Sequence, residues 1–192
     1  MKIIFIAQII VIFYFLQFFV IKTMAAEPLI KVMDWNIGTY DSNSLNLTPD
    51  QRKARMQRLA EAIKHNEAEI VYLQEFSSRH QDLQQLIEHL RTIEYPLFVD
   101  ELGYEQGKTG ASLVLLSKFP FDANSKKISF AIRGNRSAQS IIVRNTPIGW
   151  IRLSNLHTHY SEPCNNFRSY LNFFIQLDPT RSLIGGDANL GL

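Results

Sequence analysis

The stretch EIVYLQEF, Glu69 to Phe76, is a short apolar run closed by polar residues. Its length and its β-branched and aromatic content fit a buried strand. The flanks decide what fold holds it. Upstream, LIKVMDWNI (Leu29 to Ile37) alternates and carries β-branched residues, so it reads as another strand. Between the two, Thr48-Pro49-Asp50-Gln51 forms a helix start: Thr as N-cap, Pro at the first helical position, Gln reaching back. Met56, Leu59, Ala60 and Ile63 then fall at helical spacing. Downstream, Ser78 is the expected cap of a second helix with Leu83, Leu86, Ile87 and Leu90 on one face. Strands are expected around Leu97 and over Ala111–Ser117, Ile128–Ile132, Ser140–Asn145 and Trp150–Leu156. A third helix over Asn165–Leu177, apolar along Phe167, Leu171, Phe174 and Ile175, precedes a last strand over Arg181–Gly186. This order is α/β with mixed sheets, not a simple doubly wound chain.

Residues 1–26 stand apart from residues 27–192, which form one domain. Lys2 opens the chain, and Ile3 to Ile21 follow with Gln8 and Gln17 as the strongly polar members. Small residues at Ala25 and Ala26 then offer a cleavage site, the pattern of an export signal. An uncleaved anchor is the alternative, since such a helix would reach ~28 Å, close to a bilayer core. Either way the domain is expected outside the cytoplasm, secreted or periplasmic, or membrane-anchored if the leader stays.

The chain carries 20 Lys plus Arg against 18 Asp plus Glu, but Lys2 and Lys22 lie in the leader. The remainder is balanced, so overall charge gives no evidence for an acidic partner. Distribution is more informative: Lys108 to Arg136 holds six bases and one acid, Asp122, a segment able to meet phosphate or simply to face solvent. Cys164 is the single cysteine, which excludes an internal disulfide and leaves stability to the core.

Four expected strands end in polar residues: Asn36; Gln74 and Glu75; Asn155, His157 and His159; Asp187 and Asn189. In α/β proteins ligands bind at the carboxyl ends of strands. Each residue alone has an ordinary reading, as a turn cap, a solvated acid or a hydrogen-bonded histidine. Their joint occurrence points to a site.

The segments VMDWNI, IVYLQEF, GASLVLLSKFPF, NRSAQ, SNLHTHY and LIGGDAN, in this order, resemble the motifs of the endonuclease/exonuclease/phosphatase superfamily, the deoxyribonuclease I-like fold. The resemblance covers Lys31 to Asn189. It implies a four-layer α/β sandwich of two mixed sheets with outer helices, and phosphoester hydrolysis with Mg²⁺ or Mn²⁺. It matches Glu75 to a metal-binding Glu and Asn36 to an Asn beside metal and phosphate. Asp187 matches the acid that orients or deprotonates water, Asn189 a donor to a phosphate oxygen, and His157 a histidine near the scissile group. Arg136 matches a phosphate contact. A carboxylate suits Mg²⁺, which keeps several waters and needs few protein ligands. The His157–His159 pair is a weaker metal-site candidate. No GxSxG nucleophile motif and no Cys-rich zinc spacing is present.

Members of this superfamily continue past the GDxN strand and end in an Asp-His element. With Leu190, Gly191 and Leu192 closing the sequence, the expectation is an incomplete enzyme lacking its C-terminal strands, whose activity would suffer without that pair. The expected substrate is a phosphoester, nucleic acid ahead of lipid. A phospholipid or sphingolipid phosphodiesterase and a non-catalytic phosphate-binding remnant are the alternatives. No protein partner is expected, and a monomer is.

Overall fold

The computed structural model describes residues 29–38, 47–77, 81–103, 111–124, 128–132, 136–157, 168, 172 and 179–187. Strand β1 (Val32–Asn36) leads through helix α1 (Pro49–His65) to strand β2 (Ile70–Ser77), and helix α2 (Asp82–Thr92) follows. Strands β3 (Phe98–Gly103), β4 (Ala111–Ser117), β5 (Ile128–Ile132), β6 (Arg136–Thr146) and β7 (Gly149–His157) come next. A single 3₁₀ turn, Pro179–Arg181, introduces β8 (Ser182–Asp187).

The local signals around α1 act as read. Thr48 Oγ1 accepts from the Gln51 N–H at 3.3 Å, and Gln51 Oε1 accepts from the Thr48 N–H at 2.8 Å. This reciprocal cap satisfies two amides that a helix start leaves unpaired. Met56, Leu59, Ala60 and Ile63 are buried. In contrast, α2 begins at Asp82 with Gln81 as its N-cap, in the left-handed region and with no side-chain cap hydrogen bond. The expected cap, Ser78, lies outside the described residues. Arg52 on α1 and Asp82 on α2, both buried, stand 3.8 Å apart and tie the helices together.

Two four-stranded sheets result, in the orders β1-β2-β4-β3 and β5-β6-β7-β8. Both are mixed. β1 and β2 are parallel, as are β7 and β8, while the other neighbours are antiparallel. β6 starts at Arg136, four residues before the expected Ser140, because β5 folds back to pair Ile132 with Arg136. Strand side chains alternate between faces. Val71 and Leu73 therefore pack against the helices with Val114 and Leu116. Ile70, Tyr72 and Leu115 pack on Ile141, Val143, Ile151 and Leu153 of the second sheet. These two cores make an α/β sandwich of helices, first sheet and second sheet. Of the expected third helix, only Arg168 and Asn172 are described, and both are helical. The leader and Cys164 lie outside the described residues. Among the described residues no helix is long and apolar enough to cross a membrane.

Two details hold the sheets in register. The segment after β4 runs beside β6, with the Asp122 N–H donating to Ile142 O at 2.8 Å and the Arg144 N–H to Pro120 O at 3.0 Å. There Arg144 meets the Asp122 carboxylate at 2.7 Å. On β8, a Cβ on Gly185 would sit 2.6 Å from Tyr72 Cδ2. The Tyr72 ring occupies that space and its hydroxyl donates to Leu183 O at 2.9 Å. Burial pushes the Tyr72 hydroxyl well above its usual range, so it remains a neutral donor.

Gly185→Ala should therefore lower stability by about 1–3 kcal/mol through overpacking against a ring that is fixed at both ends. A shift in the urea midpoint measures it. The hydrogen bond from Arg144 holds the Asp122 carboxyl below its usual range. The stability that this pair adds is present at neutral pH and is lost as the solution is acidified through the lowered value. Stability of Asp122→Asn should be lower than wild type above about pH 4 and converge on it in stronger acid, which urea melts at several pH values would show.

Candidate active site

On the face between the sheets, each of four strands turns from apolar to polar towards its carboxyl end. On β7, Ile151 and Leu153 belong to the inter-sheet core, and Asn155 and His157 continue the same face. On β8, Leu183 packs into that core and Gly185 and Asp187 follow. On β2, Ile70 and Tyr72 lead to Gln74. On β1, Asp34 and Asn36 take the same side, bonded to groups of β2 and β8.

Glu75 breaks the alternation. A period of two would aim it at the helices and Phe76 at the second sheet. Instead Phe76 packs in the helix-side core, and the Glu75 carboxylate stands 3.4 Å from His157 Nε2 on the second sheet. The cause is a bulge. The β2–β4 register shifts between Leu73 and Phe76, and Glu75 has a left-handed φ of 54°. The extra residue turns two successive side chains, Gln74 and Glu75, to one face. Such a backbone costs on the order of 1 kcal/mol at a non-glycine residue and persists because neighbouring groups hold it.

Around this point the contacts are specific. Asn36 Nδ2 donates to Asp187 Oδ2 at 2.8 Å, and Asn36 Oδ1 accepts from the Gly38 N–H at 2.9 Å. The amide is thus oriented with its nitrogen toward the acid. His157 Nε2 lies 3.8 Å from Asp187 Oδ2 and 3.4 Å from Glu75 Oε1. The His157 side chain is fully buried, whereas Glu75 is 15% and Asp187 28% exposed, so solvent reaches the two carboxylates but not the imidazole. Next to Glu75, Gln74 Nε2 donates to Asp34 Oδ1 at 2.8 Å and to Asn155 Oδ1 at 2.9 Å. Asp34 Oδ2 accepts from the Gly186 N–H at 2.5 Å. Asn155 Nδ2 donates to Leu73 O and Val114 O, each at 3.0 Å.

The family model described as Endonuclease/Exonuclease/phosphatase family matches residues 35–190. The chain belongs to the endonuclease/exonuclease/phosphatase family. No curated protein sequence matches it. Among solved structures of this family's fold, TDP2 from C. elegans aligns at 25% identity with a TM-score of 0.60, covering 84% of this chain and 48% of its own. D. rerio TDP2, complexed with single strand DNA product, aligns at 18% identity and 0.58, covering 85% and 62%. An endonuclease/exonuclease/phosphatase family protein from Leptotrichia buccalis aligns at 13% identity and 0.62, covering 84% and 67%. The chain spans about half the length of the C. elegans structure.

Of the family-type residues named from the sequence, the structure brings Asn36, Glu75, His157 and Asp187 to one point. Arg136 opens β6, at the first residue of that strand, and its side chain lies outside the described residues. Asn189 and His159 lie outside them too. Asp34 escaped the reading of the sequence, although its spacing of two from Asn36 on an alternating strand places both on one face. Gln74 and Asn155 were visible as strand-end polar residues, but their mutual bond was not.

The donor set suits a hard cation. Its accessible ligands are carboxylate oxygens, and the Asn36 carbonyl oxygen has a second lone pair besides the one Gly38 uses. Among the described residues, no three His, Cys, Asp or Glu side chains form a closed metal cage.

Asn36→Asp would set two carboxylates against each other where an amide now donates. It should cost about 1–3 kcal/mol at pH 7. Because like charges raise the folded-state pKa of the pair, the loss should shrink as pH falls. Urea melts between pH 5 and pH 8 would follow this recovery.

Proposed function

We propose that this chain carries the cation and water-activating site of a Mg²⁺- or Mn²⁺-dependent phosphodiesterase whose substrate is nucleic acid. One observation carries the reading: Asn36, Glu75, His157 and Asp187, far apart in sequence, meet at the ends of four strands. In this reading Glu75, with Asn36 beside it, holds the cation. A bound divalent ion would supply positive charge for the phosphoryl and leaving oxygens.

The chain's own residues supply the rest. Asn36 fixes one oxygen of Asp187 by donating to it, which orients the carboxylate. Asp187 takes a proton from a water that attacks phosphorus, and the bond to the leaving oxygen breaks. In this reading His157, buried beside the two acids, donates to a phosphoryl oxygen. Asn189 and Arg136 are assigned to phosphate contacts. The basic segment Lys108–Arg136 and the nucleic-acid complex of D. rerio TDP2 support nucleic acid over lipid. On the strength of the leader, the domain works outside the cytoplasm, free or anchored.

The test uses the full chain with Mg²⁺, fluorescent single-stranded DNA and RNA, and sphingomyelin or phospholipid vesicles. Cation-dependent cleavage of nucleic acid is expected. Asp187→Asn should reduce it by ~10²–10⁴ and Glu75→Gln should remove its response to Mg²⁺. Headgroup release without strand cleavage would move the substrate to lipid. A folded chain that turns over neither substrate but retains inorganic phosphate would be a phosphate-binding domain instead.

A further inference from the structure

The Glu75 bulge has a keeper on the opposite sheet. Asn155 Nδ2 reaches from β7 to two main-chain carbonyls, Leu73 O and Val114 O, at 3.0 Å each. Leu73 and Val114 are partners across β2 and β4, and they form the last regular pair before the register shifts. The amide thus caps the two strands at the step where the bulge begins. Its oxygen accepts from Gln74, the residue between that pair and Glu75. Asn155 is completely buried, as are Leu73 and Val114, so no solvent stands ready to replace these bonds.

Simple alternation would turn Glu75 toward the helices, away from His157. Whatever stabilises the bulge therefore sets where the carboxylate points. We propose that Asn155 is a positioning residue that acts through Glu75, holding the bulge by its two carbonyl contacts and so fixing the aim of the cation-binding carboxylate. The cation part of this proposal rests on the function proposed above, whereas the bulge part does not. Only an amide fits the place: it gives two donors to the carbonyls and one acceptor to Gln74. An Asp would oppose both carbonyls with negative charge, and a Leu would remove all three bonds.

Two readouts separate the parts. The first is hydrogen–deuterium exchange of peptides covering residues 70–77 in the wild type, in Asn155→Ala and in Ile151→Ala. The last variant loosens the same inter-sheet core without touching the bulge. Faster exchange at 70–77 in Asn155→Ala, beyond that in Ile151→Ala, is expected. Equal exchange in the two variants overturns the proposal. Asn155→Ser replaces Asn155→Ala if the alanine variant does not fold. The second readout is Mn²⁺ affinity by electron paramagnetic resonance. Asn155→Ala should weaken binding ~10-fold, within the range for groups that orient metal ligands. In a Glu75→Gln background it should add less than twofold, because its effect passes through Glu75. Additive losses overturn the positioning role. Absence of Mn²⁺ binding by the wild type overturns the cation role of Glu75, and exchange alone then decides whether Asn155 holds the bulge.

Discussion

The buried Gln74–Asn155 hydrogen bond, 2.9 Å long, joins two sheets that also meet through apolar side chains. Extended through Asp34 to the Gly186 amide, it links β7, β2, β1 and β8 in one chain of donors and acceptors. A typical intramolecular hydrogen bond adds only about 1 kcal/mol net, but a buried amide left unpaired costs about 1–3 kcal/mol. The network therefore specifies more than it stabilises. Any arrangement of the sheets that separates β2 from β7 strands several polar groups without water. This restricts the sandwich to the arrangement in which the strand ends meet, and the site inherits that restriction.

Close approach makes the same demand from the apolar side. Tyr72 lies over Gly185, and a Cβ on Gly186 would fall 2.0 Å from Leu156 O. Gly186 also has a φ of 132°, a backbone that side chains rarely adopt. The pair of glycines thus serves two ends. One admits the Tyr72 ring between the sheets, and the other lets β8 run against β7 just before Asp187. The next residue is the acid that Asn36 orients, so packing and site geometry are set within three residues.

What could be read from the sequence was what local physics determines. The Thr48–Gln51 cap, the helical spacing of α1 and the apolar run of β2 depend on neighbours within a few residues, and each appears as expected. The expected cap of α2 was mistaken because Ser78 is a good cap in isolation, while the chain turns at Gln81 through a left-handed step. The polar strand ends were visible one by one. Their convergence was supplied by family resemblance, since no spacing in the sequence says that Asn36 and Asp187 touch. Glu75 is the clearest case. Its alternating pattern predicts the wrong face, and only the shift against β4, whose Ser112 pairs with Phe76 from 36 residues on in sequence, turns it round.

The sheet topology explains why four distant strands can share one point. In each sheet the strands that carry site residues are the parallel pair, β1 with β2 and β7 with β8. Parallel neighbours end on the same side, so each sheet presents two carboxyl ends together. The inter-sheet bond from Gln74 to Asn155 and the contact of Glu75 with His157 show that both pairs end at the same edge of the sandwich. Antiparallel neighbours such as β4 and β6 instead begin at that edge and contribute to the core. An Asn and an acid from the outer members, β1 and β8, then meet across the sheets, while a Glu and a His from the inner members meet behind them. Exposure rises from His157, fully buried, through Glu75 on the inner strand to Asp187 on the outer one. Solvent therefore reaches the two acids and not the imidazole beside them.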